Sequence, residues 1–204
     1  MKLYYSPGAC SLSPHIALLE AGLPHDLVKV DLRAKKTEGG DDYLTVNPKG
    51  QVPALMLESG ELVTEGPVIV QMIADKAADK GLAPARDSAE RYKLLEWLTY
   101  INSEVHKSFG PMFSPVLADD AKAFFKDRVL GKFKYLDSQL AGRDYLMGKD
   151  FTVADGYLFT MLSWADRMKF DLSAMPHLVA YKGRVAARPK VKEALAKEGL
   201  MKAA

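Results

Sequence analysis

The chain has 204 residues, 48% of them hydrophobic, a formal net charge of +2 and a single cysteine. This apolar content supports a sizeable core without staples, and mixed charge with no basic stripe argues against nucleic acid as a partner. One cysteine excludes an intrachain disulfide and fits a reducing compartment. No apolar run approaches the ~18–20 residues of a membrane span, and MKLYYSPGACS lacks the apolar stretch of a signal peptide. The expectation is a cytoplasmic protein with no membrane partner.

Lys2 to Tyr5 is a short β-prone run stopped by Ser6-Pro7-Gly8. A helix is predicted from Ser11 or Ser13, with Ser13 as its cap and Pro14 at its first position. Leu12, Ile16, Leu19 and Leu23 form its buried stripe, and Gly22 ends it. Leu27 to Leu32 reads as a second strand, which completes a β-α-β unit with parallel strands. Ala34 to Tyr43 is polar and charged, a surface loop or short irregular helix. Ala54 to Leu57 and Glu61 to Val63 are strands joined by a Glu58-Ser59-Gly60 turn. From Gly66 or Pro67 to about Ala77, the residues Val68, Ile69, Met72 and Ile73 recur at helical spacing. The order β-α-β, then β-β-α, is thioredoxin-like.

Lys80 to Ala85 is a linker by composition, and strand patterning stops beyond it. The expected division is an α/β domain over 1–80, a linker over 81–86 and an all-helical domain over 87–204. A long helix starts at Asp87 or Ser88 and carries Leu94, Leu95, Leu98, Ile101 and Val105 at helical spacing. Residues from about Ala118 to Leu140 repeat the pattern with Phe124, Phe125, Val129, Phe133 and Leu136. Thr152 and Asp155 make a capping-box start to a largely apolar, central helix, and shorter helices follow Pro176 and Pro189.

Cys10 lies between the first strand and first helix. Unpaired N–H groups and the helix dipole favour a thiolate there, so its pKa is expected below the free value of about 8.5. A buried structural cysteine is the competing reading. Val52-Pro53 precedes a strand, where the residues alone suggest an ordinary trans proline. Glu65 and Gly66 open a helix: Gly66 N–H can meet a carboxylate and Glu65 an ammonium, although an acid at a helix start needs no ligand. Lys35 and Lys36 can meet a carboxylate or stay solvated. His106, near Glu104 and Lys107, can hold or relay a proton. His15, His25 and His177 form no usable pattern, and no pair has metal-ligand spacing, so no metal site is expected.

These signals coincide. MKLYYSPGACSLSPHIAL, VNPKGQVPAL, LVTEGPVIVQMIAD, RYKLLEWLTYINSEVHKSF, FTVADGYLF and the EGL at 198–200 resemble the cytosolic glutathione transferases, most closely the bacterial beta class. The resemblance implies a thioredoxin-like N-terminal domain, an all-helical C-terminal domain, a homodimer and a cis Val52-Pro53 bond. It implies glutathione as co-substrate and a small hydrophobic electrophile as second substrate. Val52 would pair with the cysteinyl backbone of glutathione, Glu65 and Gly66 with its γ-glutamyl end, and Lys35 with its glycine carboxylate. Cys10 would lie beside the glutathione sulfur, with His106 and Lys107 lining that site from the helical domain. Thr99 and Glu104 match positions that reach across a dimer interface. Tyr5 stands where other classes carry a catalytic tyrosine.

Conjugation is the expected activity, with the glutathione thiolate held by the helix N-terminus, Cys10, Ser11 and His106. Lowering a thiol pKa by about two units takes roughly 2.7 kcal/mol. Phe109, Met112 and Phe113 are candidate cleft residues, or equally core. The alternatives are thiol–disulfide exchange or reductive dehalogenation through Cys10, and a non-catalytic relative.

Overall fold

A computed structural model describes residues 1–201. Strand β1 (Lys2–Tyr5), helix α1 (Leu12–Ala21) and strand β2 (Asp26–Asp31) form the expected unit, and β1 and β2 are parallel with Leu3 opposite Leu27. Strand β4 (Ala54–Met56) adds antiparallel to β1, and β5 (Leu62–Thr64) to β4. The segment expected to be a loop contains a two-residue strand β3 (Lys36–Thr37) on the edge of β2, followed by a short helix α2 (Tyr43–Val46). Charge hid both: the residue that fixes this segment is Tyr43, whose ring is fully buried against Tyr4 and Val52. The sheet order is β3-β2-β1-β4-β5.

Ser13 is not the cap of α1. Ser11 precedes the helix, and Pro14 falls at its third position, where an N–H has no intrahelical partner to lose. Leu12, Ile16 and Leu19 are buried as the spacing requires, and Gly22 closes the helix at φ 66°. Helix α3 (Gly66–Lys76) buries Ile69, Val70 and Ile73 against α1, but Val68 is half exposed.

Helix α4 (Ala89–Tyr100) is capped by Ser88, whose side chain accepts the Arg91 N–H. The long helix expected here is not regular. It widens into a π turn over Ile101–His106 before a short α5 (Lys107–Phe109). Such insertions re-aim the side chains that follow them and are frequent at functional sites. Helix α6 (Asp119–Leu140) buries Val129, Phe133 and Leu136, whereas Phe124, placed in its stripe by spacing, is exposed.

Helix α7 (Val153–Arg167) is the centre of the molecule. Its capping box is present: Asp155 takes the Thr152 N–H at 2.7 Å, and also the Leu146 N–H and the Tyr181 hydroxyl, each at 2.9 Å. Helix α1 packs on α7, on α3 and on α9 (Pro189–Lys197), while α8 (Pro176–Ala187) packs on α6 and α7. Gly156 permits the α1–α7 approach, since a Cβ there would stand 3.3 Å from an Ile16 methyl. The sheet half and the helical half therefore share one core, with Ile16, Leu158 and Phe159 among its members. No described helix is long and apolar enough to cross a membrane.

Candidate active site

A cleft of about 630 Å³ opens between the β1–α1 loop, the segment before β4, the start of α3 and the π turn with α7. Volumes of this size suit small-molecule ligands.

The β1–α1 loop is held from the opposite half. Gly8, at φ 67°, gives its N–H to Glu198 Oε2 at 2.8 Å and receives the Trp164 indole N–H on its carbonyl at 2.7 Å. The other Glu198 oxygen lies 2.8 Å from His15 Nδ1, and both of those side chains are fully buried. Sequence reasoning found no use for His15; its partner lies 183 positions away, a pairing that no local pattern signals. The Ser11 hydroxyl is also spent on the loop, accepting the Ser6 N–H and donating to the Ser6 carbonyl, each at 3.2 Å.

The segment before β4 is anchored from behind. The Tyr43 hydroxyl and the Asn47 amide both donate to the Gln51 carbonyl at 2.8 Å, and Lys35 Nζ donates to the Gly50 carbonyl at 2.8 Å. The Val52-Pro53 peptide is cis, as the resemblance implied and the residues alone did not. Cys10 Sγ donates to the Val52 carbonyl at 3.1 Å.

Cys10 departs from expectation. Burial pushes its thiol up to about 11, although the N–H groups of Cys10 and Ser11 pull the other way. The carboxylate of Glu65 adds to the rise. At neutral pH Cys10 is therefore a thiol, a donor rather than a nucleophile. The helix N-terminus is present, but desolvation of the sulfur outweighs it.

Glu65 sits at φ 69°, an unusual backbone for a residue with a side chain, and precedes α3. Its carbonyl accepts the N–H groups of Val68 and Ile69, each at 3.0 Å, and Pro67 has none to give. That leaves the Gly66 N–H, ahead of the first helical hydrogen bond, for a ligand. The Glu65 carboxylate is met by Lys49 Nζ at 2.6 Å, a lysine that sequence reasoning did not single out.

His106 faces these groups from the π turn. Its Nδ1 lies 2.7 Å from the Tyr157 hydroxyl, which donates to Asn102 Oδ1 at 2.9 Å. A hydroxyl has one proton; with that proton on Asn102, Nδ1 must carry its own, and Nε2 keeps a free lone pair. Burial pulls the His106 pKa down to about 4, helped by the charge of Lys107, so the ring is neutral at pH 7. Its ring centroid is 5.0 Å from that of Trp164. Asn102 and His106 stand four apart, a spacing that hints at one helix face; Tyr157 and Trp164 were hidden inside an apolar helix pattern.

The cleft thus brings together Cys10, Lys35, Val52, Pro53, Glu65, Gly66, His106 and Lys107, with Phe113 at its apolar end. It does not include Tyr5, a core residue near His15, nor Ser11, which is fully buried. Thr99 is exposed away from the cleft, and Glu104 pairs with Lys132. Phe109 is core, stacked on Phe170, and Met112 is outside the lining. Among the described residues, no group of three or more His, Cys, Asp or Glu is arranged to hold a metal ion.

Comparison with known proteins places this geometry. A family model described as glutathione S-transferase, N-terminal domain, matches residues 8–76, and one described as glutathione S-transferase, C-terminal domain, matches residues 103–198. Glutathione S-transferase GstA of Escherichia coli O157:H7 is 47% identical, over 98% of this chain and 100% of its own. A sphingomonad glutathione S-transferase complexed with glutathione is 52% identical, with a TM-score of 0.95 over 98% of this chain and 100% of that one. The bacterial beta-class enzyme of Sphingomonas chungbukensis is 51% identical, with a TM-score of 0.96 at the same coverage. The chain belongs to the glutathione S-transferase family, with a thioredoxin-like sheet domain, a helical C-terminal domain and beta-class proteins among its near relatives.

Proposed function

We propose that the protein conjugates glutathione to small hydrophobic electrophiles. The observation that carries this is the row formed by Cys10, the Val52 backbone and the Gly66 N–H along one wall of the cleft, with a neutral His106 on the other. The glutathione-bound sphingomonad relative supports the choice of tripeptide.

Glutathione lies extended, its cysteinyl backbone on Val52 and its glycine carboxylate toward Lys35. The γ-glutamyl carboxylate meets the Gly66 N–H and the Lys49–Glu65 pair receives the ammonium. Its sulfur points at Cys10. The free Nε2 of His106 takes the thiol proton in transit and passes it to solvent, and the Cys10 S–H turns from the Val52 carbonyl to donate to the thiolate. The Cys10 and Ser11 N–H groups and the dipole of α1 add to that stabilisation. The thiolate then attacks an electrophilic carbon; a carbon–sulfur bond forms and the leaving group departs with its electron pair. The raised pKa of Cys10 favours this over direct attack by Cys10, as exchange or dehalogenation through that residue would need.

Residues 1–80 supply the glutathione half and residues 87–204 the electrophile half, joined by 81–86. Thr99 and Glu104 serve a homodimer, a reading supported by the exposed Val68 and Tyr92 on neighbouring helices. The working compartment is the cytoplasm. Tyr5 and Ser11 act through the loop rather than on the substrate.

The test is an activity panel with glutathione and aryl halides, disulfides and peroxides, on the wild type and on Cys10→Ser. Saturable conjugation that falls in Cys10→Ser while exchange stays minor supports the reading. Exchange activity that dominates and vanishes in Cys10→Ser would replace it with the redox alternative.

A further inference from the structure

We infer that the electrophile this cleft takes carries an oxyanion, a carboxylate for example, and that Arg167 receives it. This inference rests on the conjugation reading above.

The charged groups lining the cleft are unevenly placed. Glu65 is the one acidic side chain among the described residues that line it, and Lys49 already meets it at 2.6 Å. Lys35 is on the Gly50 carbonyl, at the glutathione end. That leaves Lys107 and Arg167 on the wall contributed by the helical half, and no carboxylate among the described residues lies within ion-pair distance of either. A solvated arginine at a helix C-terminus is the ordinary reading of Arg167 at the end of α7. Two features go beyond it. Arg167 stands three residues after Trp164, on the same face of α7, and both line the cleft. Its Nη1 also lies 2.9 Å from where a Cβ on Gly8 would stand, so the guanidinium rests close against the backbone of the Cys10 loop.

Beside that guanidinium is an apolar wall. The Phe113 ring meets Trp164 edge-on with centroids 5.0 Å apart, and Phe113 is half exposed. A flat apolar body fits against these rings, and an oxyanion on it can reach Arg167, whose planar fork suits a carboxylate. Glutathione's own carboxylates are accounted for at Lys35 and Gly66, so the cation selects the second substrate. Arg167 is a specificity-determining residue in this account. It is exposed, so its effect is moderate and sensitive to salt.

The experiment compares 4-chloro-3-nitrobenzoate with its methyl ester, using the wild type, Arg167→Gln and Arg167→Lys. Arg167→Gln is expected to raise KM for the benzoate roughly tenfold and to leave the ester within about twofold. Arg167→Lys recovers part of the loss, and high salt shrinks the difference. Equal changes for benzoate and ester overturn the inference, as does a raised KM for glutathione, which would assign Arg167 to the tripeptide. Binding of the benzoate beside S-methylglutathione, followed by tryptophan fluorescence, reads the same subsite without turnover: weaker binding in Arg167→Gln supports it and unchanged binding overturns it. Failure of the conjugation reading shows separately, as absence of calorimetric glutathione binding to the wild type.

Discussion

The indole N–H of Trp164, on α7, donates to the Gly8 carbonyl at 2.7 Å, on the loop that carries Cys10. The Gly8 N–H ends on Glu198 at 2.8 Å, close to the end of the described chain. The wall of the cleft that carries Cys10 is thus held in place by the helical half. Trp164→Phe keeps most of the ring but leaves a buried carbonyl unpaired, at a cost of about 1–3 kcal/mol. Glu198→Ala strands both the Gly8 N–H and His15, at roughly 3 kcal/mol. Urea unfolding checks both, and changes below about 0.5 kcal/mol would mean the clamp carries no stability.

Cys10 alkylation tests the thiol's burial. With its pKa pushed up to about 11, reaction with iodoacetamide in the absence of glutathione should keep climbing from pH 7 to pH 10, close to tenfold for each pH unit. Mass spectrometry follows the adduct. A rate already level at pH 8 would return Cys10 to the activated thiolate that its helix-start position suggested.

The depressed His106 pKa makes stability depend on acid. Its folded value, about 4, lies below the ordinary 6.5, so the unfolded chain binds the proton better. The contribution is complete above about pH 6.5 and is lost as pH falls toward 4, on the order of 2 kcal/mol by pH 4.5. His106→Gln should flatten the unfolding free energy across that window. An equally steep profile in the variant would assign the acid sensitivity elsewhere.

Tyr157→Phe removes the hydroxyl that bridges Asn102 and His106 while leaving the ring that meets the His106 imidazole edge-on. The imidazole then loses its tautomer control, and kcat should fall tenfold or more with little change in KM for glutathione. Steady-state kinetics across pH separates this from a packing defect, which would lower stability and leave kcat intact.

The sequence disclosed what local rules govern. Gly22 as a helix stop, Thr152 with Asp155 as a capping box, and prolines at the starts of α8 and α9 all follow from backbone chemistry within a few residues. The succession β-α-β, then β-β-α, was legible for the same reason, although the two-residue β3 was not. What stayed hidden depends on contacts between distant residues. Tyr43 looked like loop until its ring was found buried, and His15 had no meaning without Glu198. Asn102 and His106 gained theirs from the π turn, which no periodicity marks. The desolvation of Cys10, which raises its pKa, likewise arises from packing in three dimensions and not from a local pattern.

Titration calorimetry with glutathione reads occupancy of the cleft itself. One site per chain is expected, with a dissociation constant in the micromolar to low millimolar range, weakened about tenfold by Lys35→Ala through loss of a charge-assisted contact. No heat of binding at 10 millimolar glutathione, a concentration roughly a decade above that range, would contradict it.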